Sequence, residues 1–600
     1  MTPARHAADP RAEYVRRTDS WGRDLARRER AHVLVSSSRL ALAVAVAVLA
    51  WQAFVSHRLS AVWAVVPAAA FLGLVVVHAG VLRRIERARR ARQLYERGMS
   101  RLDSTWSGGG PDGARFLDGH PFAHDLDLFG PGSLFQLLDT ARTEIGEETL
   151  AAWLGDGAEI QEVRARQQAI AELTPKIDFR EDLAVLAAEA EVGRTGSLAA
   201  WAAAPSAGLS PVHRIVFGAC AVVAASLCVA WYTEYARWTA VLAWVLVQWG
   251  IVGIWRGQIN TALMGIDTAA HALGLMSELL ARIEIEPALS TRLQAVRAAL
   301  AVEGVPPSRR IARLQRLVTL LDHMTLNMWF MPIDRLLLVR AQMAVAIDRW
   351  HASYGLAVAA WLRAVGDVEA LSALATHAYE HPADPFPDLV ESGALFDATG
   401  LGHPLIDERV AVRNDVRLGG PHPRALIVSG SNMSGKSTLL RAVGVNVSLA
   451  LAGAPVRAAN ATMSSLSIGA TMRVDDSLQA GQSRFYAEIL RIRAIVDRAR
   501  GTRSLLFLLD EILGGTNSYD RRVGAEAIVR ALLDTGAIGF ITTHDLALTE
   551  LAPKLGSMVA NVHFEDRFEN GRMVFDYRMR PGVVERSNAL ALMRAVGLDV

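Results

Sequence analysis

Ala425-Leu-Ile-Val-Ser-Gly430-Ser431-Asn432-Met433-Ser434-Gly435-Lys436-Ser437-Thr438 is the stretch that decides the fold. Residues 425–428 form a short apolar run of strand character, and residues 439–451 carry helical spacing. Between them lie two glycines, a lysine and a hydroxyl in the order of a phosphate-binding loop, in the strand–loop–helix context that the motif requires. Gly430 and Gly435 permit backbone angles that turn consecutive amides toward phosphate oxygens at the positive end of the following helix. Ser431, Asn432, Met433 and Ser434 complete the loop, with Thr438 closing it. Lys436 is placed to reach the β- and γ-phosphates of ATP, and the Ser437 hydroxyl to ligate Mg²⁺. The chain has only three lysines, Lys176, Lys436 and Lys554, against 60 arginines, and one of the three stands at this position.

Two further strands support the loop. Residues 504–509 (SLLFLL) are continuously apolar and end in Asp510-Glu511. A buried parallel strand delivers its last residues to the edge where open α/β sheets bind ligands. Asp510 is expected to hold Mg²⁺ and Glu511 to polarise the attacking water. Residues 538–543 end in His544, which is placed to sense the γ-phosphate. Strands alternating with helices from residue 401 onward predict a mainly parallel sheet covered on both faces.

The neighbours of these motifs resemble the MutS family. The loop 431–438 has the Asn-Met pair of the MutS P-loop, and 510–520 (DEILGGTNSYD) is similar to its Walker B segment. Residues 475–485, followed by Glu488, resemble the MutS signature, and 582–598 its C-terminal helical segment. Residues 126–154 resemble the opening of the MutS core, and 401–404 (LGHP) the entry to the ATPase. The resemblance implies an ABC-class ATPase that works as a homodimer with composite ATP sites. Ser483 would act in trans on the γ-phosphate held by the partner's Lys436. Residues 478–482 are also similar to the ABC-transporter signature. The interval from Lys436 to Asp510 is too short for the helical subdomain that transporters insert there. The resemblance stops at mismatch reading: no Phe-x-Glu element, connector or DNA-clamp region is recognisable.

Upstream, apolar runs and arginines organise the chain. Runs at 40–55, 59–82, 215–231 and 238–255 predict four transmembrane helices in two hairpins. The second run has 24 residues without a formal charge. Buried helices of a large soluble core are the alternative. Nine arginines in 1–39 and eight in 83–101 flank the first hairpin, against Arg58 alone in its turn, which keeps both flanks cytoplasmic. Arg83, Arg84, Arg87, Arg89, Arg90 and Arg92 suit acidic lipid headgroups or DNA phosphates, and their juxtamembrane position favours lipid. Between and after the hairpins, 119–204 and 261–378 read as helical. A connector lies at 205–211, a break at 304–308 and a Pro-rich boundary at 381–387.

The expected layout is therefore an Arg-rich segment (1–39), hairpin 1 (40–82), a juxtamembrane segment (83–118), helical parts (119–211 and 257–385) around hairpin 2 (212–256), and an α/β P-loop ATPase (386–600). The expected location is a bacterial inner membrane, with the ATPase in the cytoplasm. A net charge of +2 excludes a global electrostatic case for nucleic acid, and two cysteines, Cys220 and Cys228, exclude a disulfide framework or Cys-based metal site. Two function classes follow: a MutS-like ATPase linked to DNA, or a mechanochemical membrane ATPase acting on a protein or lipid partner.

Overall fold

The computed structural model describes residues 9–584, apart from 57, 61, 191–194, 302–303, 327–330, 392, 432, 473–483, 515 and 570–571. It divides into two units, Met1–Gly110 and Pro111–Val600.

The first unit is a hairpin of two long helices, Pro10–Phe54 and Val62–Leu102. Asp9 caps the first, its carboxylate accepting from Arg11 N at 3.0 Å, with Pro10 at the first helical position. The contacts run in opposite chain directions: Tyr14 meets Tyr95, Arg28 reaches the Arg84 carbonyl, and Arg39 meets His78. Toward the turn, the apolar side chains point outward; Val66 and Val76 are each 74% exposed. Large contiguous apolar faces of this kind mark contact with something other than water.

The second unit joins helices to sheets. Pro211–Tyr232 and Trp238–Ile254 form a second helix pair, in which Trp244 and buried Gln248 both donate to the Cys220 carbonyl, at 3.2 and 2.8 Å. Among the described residues, three single helices are long and apolar enough to cross a membrane: Pro10–Phe54, Val62–Leu102 and Pro211–Tyr232. The fourth expected crossing is not one straight span. Trp238–Ile254 has 17 residues, about 26 Å at roughly 1.5 Å per residue, which falls short of a hydrocarbon core of about 30 Å. It passes the length test only together with the segment Arg256–Ile285, to which it is bent by 68°.

A 42-residue helix, Val339–Glu380, is the spine of this unit. Near its start it shares a small core with Leu209, Phe217 and Ile259, and Asp348 accepts from Ala207 N and Leu209 N at 2.7 and 2.8 Å. Near its end, buried Glu369 accepts from Arg142 N at 2.9 Å and from the Thr143 hydroxyl. Thr143 in turn caps the helix Glu144–Asp156.

Among the described residues the C-terminal part holds ten strands: β1 (Asp388–Val390), β2 (Leu395–Leu401), β3 (Asn414–Gly419), β4 (Ala425–Ser429), β5 (Asn460–Ser464), β6 (Leu466–Thr471), β7 (Ser504–Leu509), β8 (Ile538–Thr543), β9 (Val559–Glu569) and β10 (Arg572–Pro581). They make a four-stranded sheet, β1-β5-β2-β3, and a six-stranded sheet, β10-β9-β4-β8-β7-β6. The larger is parallel except for β9–β10. Strands β4 and β8 are buried along their whole length, as the continuous apolar runs require of a sheet covered on both faces.

Candidate functional site

Strand order places the site. Strands β4 and β7 both pair with β8, with Ser429 opposite Thr543 and Leu509 opposite Ile541. The three strands therefore end side by side, and the residues just beyond them converge at the carboxyl edge of the sheet.

Beyond β4, the loop turns through Gly430 (φ 151°), Met433 (φ 69°) and Gly435 (φ 105°) into the helix Lys436–Ala452. A Cβ at Gly430 would stand 2.9 Å from Ser434 Oγ and 3.0 Å from the Phe564 carbonyl, so the cradle leaves no room for a side chain there. Met433 is 84% exposed at the loop crest. Ser431 Oγ and Ser434 Oγ are buried with no hydrogen-bond partner among the described residues. Orphaned hydroxyl oxygens at the positive end of a 17-residue helix fit a phosphate chain. Lys436 is 5% exposed, and its Nζ donates to the carbonyls of Gly430 (2.9 Å) and Ser431 (2.8 Å). Burial lowers its pKa, while Glu511 and Asp510 act to raise it. Ser437 and Thr438 follow in the first helical turn and line the same cavity.

Beyond β7, Asp510 accepts from the Thr542 hydroxyl of β8, and Glu511 N donates to Thr542 Oγ1 at 3.0 Å. Glu511 (φ 48°) and Leu513 (φ 56°) hold left-handed backbone that non-glycine residues seldom adopt. The turn is fastened by Leu513 N donating to buried Glu488 at 2.5 Å and by Arg521 reaching the Leu513 carbonyl at 3.2 Å. Beyond β8, His544 Nδ1 lies 3.4 Å from Glu511 Oε1. Gly435, Lys436, Ser437, Thr438, Asp510 and Glu511 all line one cavity of about 770 Å³. Among the described residues, no group of three or more His, Cys, Asp or Glu side chains is arranged to hold a metal. A magnesium ion here would be shared with phosphates, as Mg²⁺ usually is; Ser437 and Asp510 are the residues placed to take part. Asn432 and Ser483, both expected at the site, lie outside the described residues, as does most of the 475–485 signature.

The far wall of the cavity was not legible from motifs. Val410, Val412, Asn414 and Tyr577 line it, with Tyr577 (φ 53°) set against Gly435. Asn414 clamps this wall: its Nδ2 donates to the Tyr577 carbonyl at 3.0 Å, and its Oδ1 accepts from Met579 N at 2.7 Å. An apolar and aromatic wall beside a phosphate cradle suits a flat base. His403 adds a neutral ring, its pKa lowered to about 4 by burial and then by Arg441. The 402–404 Gly-His-Pro entry was the only sequence sign of this wall.

The helical part presses on the back of the site. Leu126 packs so closely on the helix Lys436–Ala452 that a Cβ at Gly444 would lie 2.5 Å from it. Asp127 pairs with Arg441 at 3.2 Å. Asp125, fully buried, accepts from Met472 N at 2.9 Å and lies 3.6 Å from Arg491.

Comparisons with known proteins match this C-terminal part of the chain. The family model for MutS domain V matches residues 426–599. The DNA mismatch repair protein MSH3 of Phaeosphaeria nodorum is 33% identical over 234 residues, 38% of this chain and 21% of that one. The DNA mismatch repair protein MutS of Shouchella clausii is 35% identical over 205 residues, 33% of this chain and 23% of that one. The chain thus spans about a fifth of the length of these curated relatives.

Proposed function

The chain belongs to the MutS family through its C-terminal domain, and from that premise we propose that it is a membrane-anchored, Mg²⁺-dependent ATPase working as a homodimer. The observation that carries the reading is the convergence of Lys436, Ser437, Asp510, Glu511 and His544 beyond three adjacent strands. Bound Mg²⁺–ATP would supply the phosphoryl group and the charge that the metal neutralises. The chain's own residues do the rest. Lys436 and the loop amides would hold the phosphates, and Ser437 and Asp510 would hold the ion. Glu511, held by the hydrogen bond its backbone N–H donates to Thr542 Oγ1 and by His544 beside its carboxylate, accepts the proton of the attacking water. Ser483 of the second copy completes the site. Lys436→Ala should weaken nucleotide binding. Glu511→Gln should bind ATP normally and lose turnover by about 10²–10⁴-fold, the usual worth of a general base. Hydrolysis by purified protein that does not depend on Lys436 would refute the assignment.

Membrane anchoring rests on the exposed apolar faces and the arginine flanks of the first hairpin, with the second helix pair as a further, shorter insertion and with the ATPase in the cytoplasm of a bacterial cell. What ATP drives has two readings. In the first, inherited from the mismatch-repair relatives, the dimer acts on DNA. The second is mechanochemical, and one observation favours it: Val339–Glu380 is fastened at Asp348 to the base of the second helix pair and at Glu369 to the segment packed on the P-loop helix.

A further inference from the structure

Five arginines, Arg214, Arg309, Arg310, Arg313 and Arg349, line one cavity of about 710 Å³, far in sequence from the nucleotide site. Three helices build it. Arg214 lies in the first turn of Pro211–Tyr232, the next three in the first two turns of Pro307–Leu326, and Arg349 on the spine helix. Helix N-termini carry partial positive charge and favour acids, so four arginines in the opening turns of two helices are placed against their own dipoles. No carboxylate lines the cavity among the described residues. Two acids on the adjoining helices are committed elsewhere: Asp348 to the amides of Ala207 and Leu209, and Glu284 to Ser308, whose amide and hydroxyl donate at 3.0 and 2.7 Å. Among the described residues, Arg214, Arg309, Arg313 and Arg349 make no ion pair.

One member is fixed in place. Arg310 is 6% exposed, its guanidinium lies 4.2 Å from the Tyr354 ring centroid, and its carbonyl accepts from Trp350 Nε1 at 3.1 Å. The other four are exposed at the rim. A buried, oriented guanidinium below a ring of unpaired ones is the arrangement that recognises phosphate, because each planar fork can donate two parallel hydrogen bonds. Four exposed like charges around one recess, none of them in an ion pair among the described residues, repel one another, and a ligand carrying more than one negative charge relieves that repulsion.

We propose that this cavity binds a phosphate-bearing polyanion. Two sources share that chemistry: the headgroup of an anionic phospholipid or a soluble phosphoanhydride. The lipid source rests on the membrane reading of Pro211–Tyr232, whose first turn supplies Arg214. Leu317 and Met343 on the cavity wall would then meet glycerol or acyl carbons. A DNA duplex is disfavoured, since it offers its phosphates on a convex surface too broad to enter a recess between three helices.

The test uses the full chain carrying Lys436→Ala, so that the P-loop does not contribute, with and without Arg309→Gln/Arg313→Gln/Arg349→Gln. These three side chains are exposed, and their loss leaves Arg310 and the core untouched. Lipid retention is measured by native mass spectrometry after exposure to phosphatidylcholine vesicles with or without cardiolipin, and inorganic pyrophosphate binding by calorimetry. Selective cardiolipin retention, reduced at least tenfold in the triple variant and restored in part by the corresponding lysines, supports the site with a lipid source. Pyrophosphate binding with the same dependence, and no lipid preference, supports it with a soluble source. Binding of neither probe, binding unchanged by the triple variant, or arginine-dependent binding of a duplex oligonucleotide alone overturns the proposal. Membrane flotation of the parent chain is scored separately. If it fails, the anchoring reading falls, while the pyrophosphate arm still decides this site.

Discussion

Replacing Glu369 by glutamine should flatten the pH dependence of the joint between the spine helix and the ATPase. Glu369 is 2% exposed, and burial pushes its pKa up from 4.5 to about 7, against the lowering effect of Thr143 and Arg142, which donate to it. Its neighbour Asp139 is pushed up to about 8 by burial, then by Glu147, with Glu369 adding to the effect. Both carboxyls hold their protons more tightly when folded than when unfolded. Their contribution to stability is therefore complete below about pH 4 and is lost as pH rises through the folded values near 7 and 8. For Glu369 that rise corresponds to about 3 kcal/mol, since a tenfold change in proton affinity is worth roughly 1.4 kcal/mol. Glutamine keeps an acceptor for Arg142 N and cannot ionise. Alanine instead leaves that amide and the Thr143 hydroxyl unpaired, at a cost of about 2–4 kcal/mol at any pH.

The assay is amide hydrogen exchange of Glu144–Asp156, corrected for intrinsic rates, between pH 5 and 8, because local opening of one helix is readable in a chain too large for two-state unfolding. Wild type should lose protection as pH rises, Glu369→Gln should lose markedly less, and Glu369→Ala should be less protected throughout. Protection in wild type that does not change with pH, or a glutamine variant that tracks wild type, would refute the reasoning.

Three further outcomes are expected. Mixing Lys436→Ala with Ser483→Ala subunits should restore part of the ATPase activity that each loses alone, because some composite sites keep both residues; strictly additive rates would argue against a site shared between copies. A cysteine replacing Arg58, in the turn of the first hairpin, should react with impermeant reagent only from outside the cell, and reaction from the cytoplasmic side would overturn the topology. Fluorescence anisotropy on matched and G·T-mismatched duplexes should show no preference, since phosphate contacts alone carry no sequence information; a tenfold preference, about 1.4 kcal/mol, would reveal a recognition element.

Legibility from sequence followed the range of the forces involved. Strands β7 and β8 were readable to the residue, because a strand buried on both faces must be apolar throughout and end abruptly where the site begins. The P-loop was readable because its glycines and lysine answer to local geometry. Strands β1, β2, β3 and β5 were not picked out; they are short, and their pairing joins residues 388–390 to 462–464 across the whole P-loop helix. Tyr577 and Asn414 were invisible for the same reason: they meet over 163 residues, and neither stands in a recognisable pattern. Glu369 stands in no recognisable pattern on an alanine-rich helix, and only packing shows that it is buried. The fourth apolar run was legible as apolar but not as bent, although Gly253 and Gly257 flank the break at Trp255.

The remaining step concerns how nucleotide chemistry reaches the membrane side. A change at the P-loop helix meets Leu126 and Asp127 directly, and a change at the signature helix Arg484–Arg498 meets Asp125 through Arg491. Those residues open the segment that continues into Glu144–Asp156, which Glu369 ties to the spine. The spine then runs back for 21 residues to Asp348, about 32 Å at roughly 1.5 Å per residue, and Asp348 holds the connector that starts Pro211–Tyr232. Each joint is a buried carboxylate accepting from backbone amides, a contact with narrow geometric tolerance and a large cost of breaking. A stiff helix fastened in this way at two points cannot absorb displacement between them, so motion at one end is delivered to the other or a joint opens. On the mechanochemical reading, the second helix pair is the element that moves, and the arginine cavity at its base, which shares both Pro211–Tyr232 and the spine, is where a bound anion would oppose or assist that motion.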